Sequence, residues 1–150
     1  MRKIIVFLIP ALVLVSCTSF PDPEKYANKA IYWDENMPKE ECAGLVIAKG
    51  LTVTSYNGVP VDWGNKAIVY LPPGTINLVM DASYDTGSTH FSGKNWPFQW
   101  TFNAGDRRFL YGWIRDSAPV ILVIDHNDKT PWYDQPAYRV PLREGPLILE

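Results

Sequence analysis

The chain has 150 residues, 47% of them apolar, and a formal net charge of −2. That length suits one domain rather than two, the apolar share excludes a wholly disordered chain, and no basic patch marks nucleic acid as a partner. The two cysteines, Cys17 and Cys42, are too few for a disulfide framework.

Met1–Ser16 reads as a targeting segment. Arg2 and Lys3 form a positive start, and Ile4–Val15 is an apolar run broken by Pro10. The run is shorter than the roughly 20 residues of a membrane-spanning helix. It closes on Leu14-Val15-Ser16-Cys17, which resembles the lipobox of bacterial lipoproteins: an aliphatic residue, a tolerant position, a small residue, then cysteine. The resemblance implies cleavage before Cys17, lipidation of its thiol and new amino group, and attachment to an envelope membrane. The plainer alternative is an ordinary secretory signal followed by a chance cysteine. Thr18 comes next; an aspartate there often marks inner-membrane retention in that family in enteric bacteria, so its absence favours the outer membrane. Without Arg2 and Lys3 the balance is 12 basic against 16 acidic residues, or −4.

Residues 17–40 are expected to be the lipidated Cys17 and a tether, because Pro21, Asp22, Pro23 and Glu24 offer little to bury. Within it, Ile31-Tyr32-Trp33 is a brief apolar patch able to dock on the domain. Asp34–Glu41, with Pro38, is a loop or a single helical turn.

Residues 41–128 carry the strand signals. Glu41–Lys49 is the first candidate; Cys42 at its start reads as a buried small hydrophobe, the alternative being a reactive or intermolecularly bonded thiol. Leu51–Tyr56, Asn57-Gly58 and Val59–Trp63 form a predicted hairpin, since both central positions of a type I′ turn need positive φ. Lys66–Leu71 ends at Pro72-Pro73-Gly74, a turn that no continuous strand would tolerate. Ile76, Leu78, Met80, Ala82 and Tyr84 alternate with polar residues on a period of two, so they face the core. Asp85–Asn95 is then the longest polar connection. Phe98, Trp100 and Phe102 mark the next strand, and Phe109, Tyr111 and Trp113 the one after. Ala104-Gly105-Asp106 between these two suggests a hairpin. Val120–Ile124 has no polar alternation, which predicts burial on both faces. Residues 129–150, with Pro131, Pro136, Pro141 and Pro146, are expected to run extended over the surface, with one possible edge strand at Tyr138–Leu142. No stretch has a helical period. The expected architecture is all-β: a single antiparallel sandwich of about seven short strands.

Val69-Tyr70-Leu71-Pro72-Pro73-Gly74-Thr75, with Tyr56-Asn57-Gly58-Val59-Pro60-Val61 before it and Phe102-Asn103-Ala104-Gly105-Asp106 after it, resembles PEGA-type and related prealbumin-like β-sandwich domains of bacterial surface proteins. The likeness covers roughly residues 45–115. It implies an accessory or adhesive module without an active site.

No catalytic residue, metal or cofactor is assigned. His90 and His126 are the only histidines, and Asp125-His126-Asn127-Asp128 reads as a polar turn, because neighbours on an extended chain point to opposite faces. No zinc spacing, nucleophile elbow or phosphate loop occurs. The candidate binding residues are Tyr84, His90, Asn95 and Trp96, around the Asp85–Asn95 loop. There a polar segment stands on regular strands, two rings give flat apolar surface, and His90 and Asn95 give directional hydrogen bonds. The plain alternative is a loop that only connects. The six tryptophans either cover the ends of the sandwich or, where exposed, stack on sugars or anchor a protein. The expected function is a lipid-anchored envelope module with a glycan, peptidoglycan or envelope-protein partner. The alternative is an enzyme acting on an envelope polymer through paired carboxylates. Oligomeric state is not legible.

Overall fold

The computed structural model describes residues 22–85, 90–115, 118–128, 130–131 and 134–140. The leader and Cys17 lie outside these residues. The strands are β1 (Lys29–Tyr32), β2 (Ala43–Ile47), β3 (Leu51–Tyr56), β4 (Val59–Pro60), β5 (Ala67–Leu71), β6 (Gly74–Asp85), β7 (His90–Phe102), β8 (Arg107–Arg115), β9 (Ala118–Asp125) and β10 (Ala137–Arg139). A single helical turn, α1 (Pro23–Tyr26), and a 3-10 turn at Lys39–Glu41 complete the described elements. The chain is thus all-β, in two sheets. One has six strands in the order β1-β5-β2-β8-β9-β10, the other four in the order β4-β3-β6-β7.

Alternation decides which side chains meet between the sheets. Ile76, Leu78, Met80, Ala82 and Tyr84 of β6 are all buried, and so are Phe98 and Phe102 of β7. They share one apolar cluster with Leu45, Ile47, Val69, Leu71, Leu110, Ile121 and Val123 of the larger sheet. The larger sheet is also apolar on its outer face. Val46, Ile68, Tyr70, Phe109, Leu122 and Ile124 form a second cluster there, against which Tyr26, Ala27, Met37 and Ala137 pack. Every residue from Val120 to Ile124 is therefore buried, as the unbroken apolar run predicts.

The cover on that outer face corrects the expected tether. From Asp22 on, the segment is part of the domain. Asp22 caps α1, its side chain accepting from Glu24 N at 3.1 Å, and Pro23 holds the first helical position, where a missing N–H costs nothing. Tyr26 meets Phe109 edge to face at 5.1 Å. β1 then runs parallel to β5.

Three further expectations change. Ten strands are described instead of about seven, and the β1–β5 and β2–β8 pairings are parallel. β7 and β8 do not form a hairpin: β7 pairs with β6, and β8 with β2 and β9. The Ala104-Gly105-Asp106 link crosses between the sheets, because Gly105 N bonds Cys42 O at 3.1 Å and Gly44 N bonds Asp106 O at 2.8 Å, which seats β8 beside β2. Third, most of Asp85–Asn95 is strand, since β6 runs to Asp85 and β7 starts at His90; residues 86–89 lie outside the described set. The cause of this last difference is a bulge. Met80 opposes Trp96 and Ala82 opposes Gly93, so Asp81 faces two residues. Asn95 takes φ +56 there, and its N–H donates to Asp81 Oδ1 at 2.9 Å. The extra residue inverts the parity of β7, so Phe91 and Trp96 both point inward although five positions apart.

Candidate functional site

β8–β9 and β6–β7 both continue past the point where Ala48, Lys49 and Gly50 carry the chain from β2 to β3. Tyr84, from β6, joins the two pairs. Its hydroxyl accepts the Gly112 N–H of β8 at 2.9 Å. Its ring stacks on Phe91 at 4.9 Å and meets Tyr111 edge on at 5.4 Å. Burial pushes the Tyr84 hydroxyl far above the ordinary phenol range, against the smaller opposing effect of the Gly112 hydrogen bond. It stays protonated at physiological pH and serves as a structural pin.

A groove of about 1050 Å³ runs along the flank of these hairpins. Its accessible apolar surface comes from Tyr26 and Tyr111, with the buried Phe109 and Tyr84 rings behind them, and its polar groups from Lys49, Thr52, Asn65, Asp81, Ser83, Asp85, Ser92 and Lys94. The Tyr26 hydroxyl accepts from Lys49 N at 2.9 Å and closes one side. Burial raises the Tyr111 hydroxyl as well. Two lysines and two aspartates balance, so the lining carries no net charge. Such a surface suits a polar, largely uncharged ligand with flat apolar faces.

The four sequence-chosen residues converge on this region but do different things. Tyr84 lines the groove from within the core. Trp96 is buried, its indole parallel to the phenyl ring of Phe91 at 6.3 Å, and it fills the space above Gly93, which lines the groove. Neither ring offers the exposed flat surface expected of it. Asn95 is exposed on the bulge, where it orients Asp81. His90 is exposed and stands opposite Asp85 in the ladder. Sequence reasoning missed Tyr26, Lys49, Asn65 and Tyr111. They come from four separate segments, and no spacing links them.

Of the other tryptophans, Trp63 is buried, Trp100 and Trp113 are half-buried and Trp33 is exposed, while Trp132 lies outside the described residues. Cys42 is free and buried. Desolvation raises its thiol, with the Arg107 charge acting in the other direction. Among the described residues no three His, Cys, Asp or Glu side chains gather as metal ligands. Asp125-His126-Asn127-Asp128 closes as a turn, with Asn127 N on Asp125 Oδ1 at 2.9 Å.

Comparison with known proteins adds no further constraint: no family model, curated protein or solved structure matches the chain.

Proposed function

We propose that the chain is a lipid-anchored protein of the bacterial cell envelope, in the outer membrane, and that its domain is a non-catalytic module that binds a glycan such as peptidoglycan. The anchoring half rests on the leader and its Leu14-Val15-Ser16-Cys17 close. One observation carries the binding half: a groove of about 1050 Å³ in which tyrosine rings lie among hydroxyl, amide and balanced charged groups. A sugar ring presents an apolar face and a rim of hydroxyls. Tyr26 and Tyr111 match the first, and Asn65, Ser83, Ser92 and the charged residues match the second. The zero net charge of the lining favours such a ligand over a phosphate-rich one.

The test is titration of the isotope-labelled protein with soluble peptidoglycan fragments and neutral oligosaccharides, followed by backbone amide shifts. Shifts concentrated at Lys49-Gly50, Asn65 and Ser92–Lys94 are expected. Lys94→Ala and Tyr111→Ala should each weaken binding by about tenfold, or ~1.4 kcal/mol. Absence of shifts in the groove with every ligand, or a shift set confined elsewhere, contradicts the assignment.

A further inference from the structure

The registers put the groove at one end of the larger sheet and an apolar patch at the other. Tyr32 lies across from Tyr70, Tyr70 from Gly44, and Gly44 from Arg107. Ala48, Asn65 and Tyr111 of the groove sit just beyond the opposite end of the same ladder, where Ile47 meets Ala67 and Leu110. The separation along the strands is about 13–17 Å, at 3.3 Å per residue.

At the end away from the groove, Tyr32, Trp33 and Val59 are 44%, 41% and 49% exposed, the large apolar side chains left in solvent among the described residues. They rest on a rigid base. Tyr32 stacks on Tyr70 at 4.8 Å, and Trp33 stands edge on to Tyr56 at 4.5 Å and to Trp63 at 6.3 Å. Val59 pairs with Tyr56 across the β3–β4 hairpin, so their side chains share a face.

The chain also enters the fold at this end. Glu24 reaches Tyr70 Oη at 3.4 Å and Lys39 Nζ at 2.8 Å. From there α1 runs toward the groove, where Asn28 N bonds Lys66 O at 3.1 Å, and β1 returns. Cys17 is five residues before Asp22, a length that spans at most about 18 Å.

We propose that this end of the domain rests on the lipid surface, with Tyr32, Trp33 and Val59 in the headgroup layer. The proposal rests on Cys17 being the anchor. Tryptophan and tyrosine favour the membrane interface because an apolar ring and a polar group sit on one side chain. The short link holds the patch against the bilayer, so contact requires little further ordering. Lys39 and Arg107 lie over the Tyr70 ring at this end, and Glu24 with Asp34, Glu35, Glu40 and Glu41 outnumbers them, so the favoured surface is zwitterionic rather than anionic. The groove then faces away from the membrane, toward soluble or polymeric ligands.

The test uses the full lipid-modified protein in phosphatidylcholine vesicles carrying a headgroup nitroxide, with flotation and tryptophan fluorescence read on one sample. The protein should float and its emission should be partly quenched. Trp33→Phe, which keeps a ring against Tyr56 and Trp63, should lose most of that quenching while still floating. Adding phosphatidylglycerol should not increase the quenching. A protein that does not float overturns the anchor, and this proposal with it. A floating protein whose Trp33→Phe variant is quenched as much as wild type overturns the orientation and leaves the anchor intact. Trp33 shielded from aqueous acrylamide yet untouched by the nitroxide marks a protein partner at the patch, and overturns the proposal too. A marked rise in quenching with phosphatidylglycerol rejects the zwitterionic surface.

Discussion

The Tyr84 hydroxyl takes the Gly112 N–H at 2.9 Å, and the Tyr84 ring fills the space that a side chain on Gly112 would occupy. A Cβ there would stand 2.7 Å from Cε2 of the ring, and a Cβ on Gly50 would stand 2.7 Å from Cε1. The ring is thus wedged between two glycines, one on each sheet's side of the core, and it holds the two long hairpins together at the groove. Tyr84→Phe leaves a buried N–H without a partner, so it should cost about 1–3 kcal/mol. Gly112→Ala should cost more, because the ring must also move. Urea unfolding of both variants checks this. Midpoints equal to wild type would mean the pin does not hold the hairpins.

The β3–β4 turn is a second point of strain. Asn57 has φ +46 and Gly58 φ +82, the pairing that a type I′ turn demands. Gly74, after Pro72-Pro73, has φ +135. No atom lies within 4 Å of a Cβ built on Gly58 or Gly74, so any penalty there is one of backbone conformation. Gly58→Val and Gly74→Val should each lower stability by more than about 1 kcal/mol. Unchanged unfolding midpoints at both sites would contradict that.

Much of this was legible in the sequence, and what was not has physical causes. Strict alternation exposed the core face of β6. Asn57-Gly58 marked a real turn, Pro72-Pro73-Gly74 the break between β5 and β6, and Val120–Ile124 announced a strand buried on both faces. The strand at His90–Asn95 was hidden because the bulge at Asn95 breaks the alternation in the middle of β7. The β7–β8 crossing was hidden because a short glycine link serves a hairpin and a change of sheet equally well. Tyr26 looked like tether because its partner, Phe109, is 83 positions away (109 − 26). The groove combines residues from both sheets and from α1, so pattern reached Tyr84 and the Asp85–Asn95 stretch, which supplies Asp85, Ser92, Gly93 and Lys94, but not Tyr26, Lys49 or Asn65.

Cys42 gives a chemical test of the core. Its sulfur is buried and its thiol raised by desolvation. Thiolate is the reactive form, so the native protein should react with a thiol reagent only slowly at neutral pH, and fully once unfolded in urea. Rapid labelling of the native state, or a disulfide-linked dimer on non-reducing gels, would contradict the buried structural role.

The packing of α1 should respond to acid. Glu24 is held below the ordinary carboxylate range, first by its hydrogen bond to Lys39. A lowered folded-state value means that this contribution is complete above the unfolded carboxyl's range and is lost as pH falls through the lowered value. The nuclear Overhauser contact between the Tyr26 and Phe109 rings should therefore persist at neutral pH and weaken below about pH 4. Glu24→Gln should remove that acid step. A contact insensitive to pH in wild type would show that the Glu24–Lys39 pair does not hold α1 in place.

Both the envelope function and the orientation on the membrane depend on the fate of Cys17, so the most direct measurement is the intact mass and N-terminal peptide of the protein extracted from the membranes of a lipoprotein-processing bacterium. The expected product is a chain that begins at Cys17 and carries a thioether-linked diacylglyceryl group and an acylated amino group, with Cys17→Ala left unprocessed or released from the membrane. A mature chain that begins elsewhere, or an unmodified Cys17 in protein that still sediments with membranes, would contradict it.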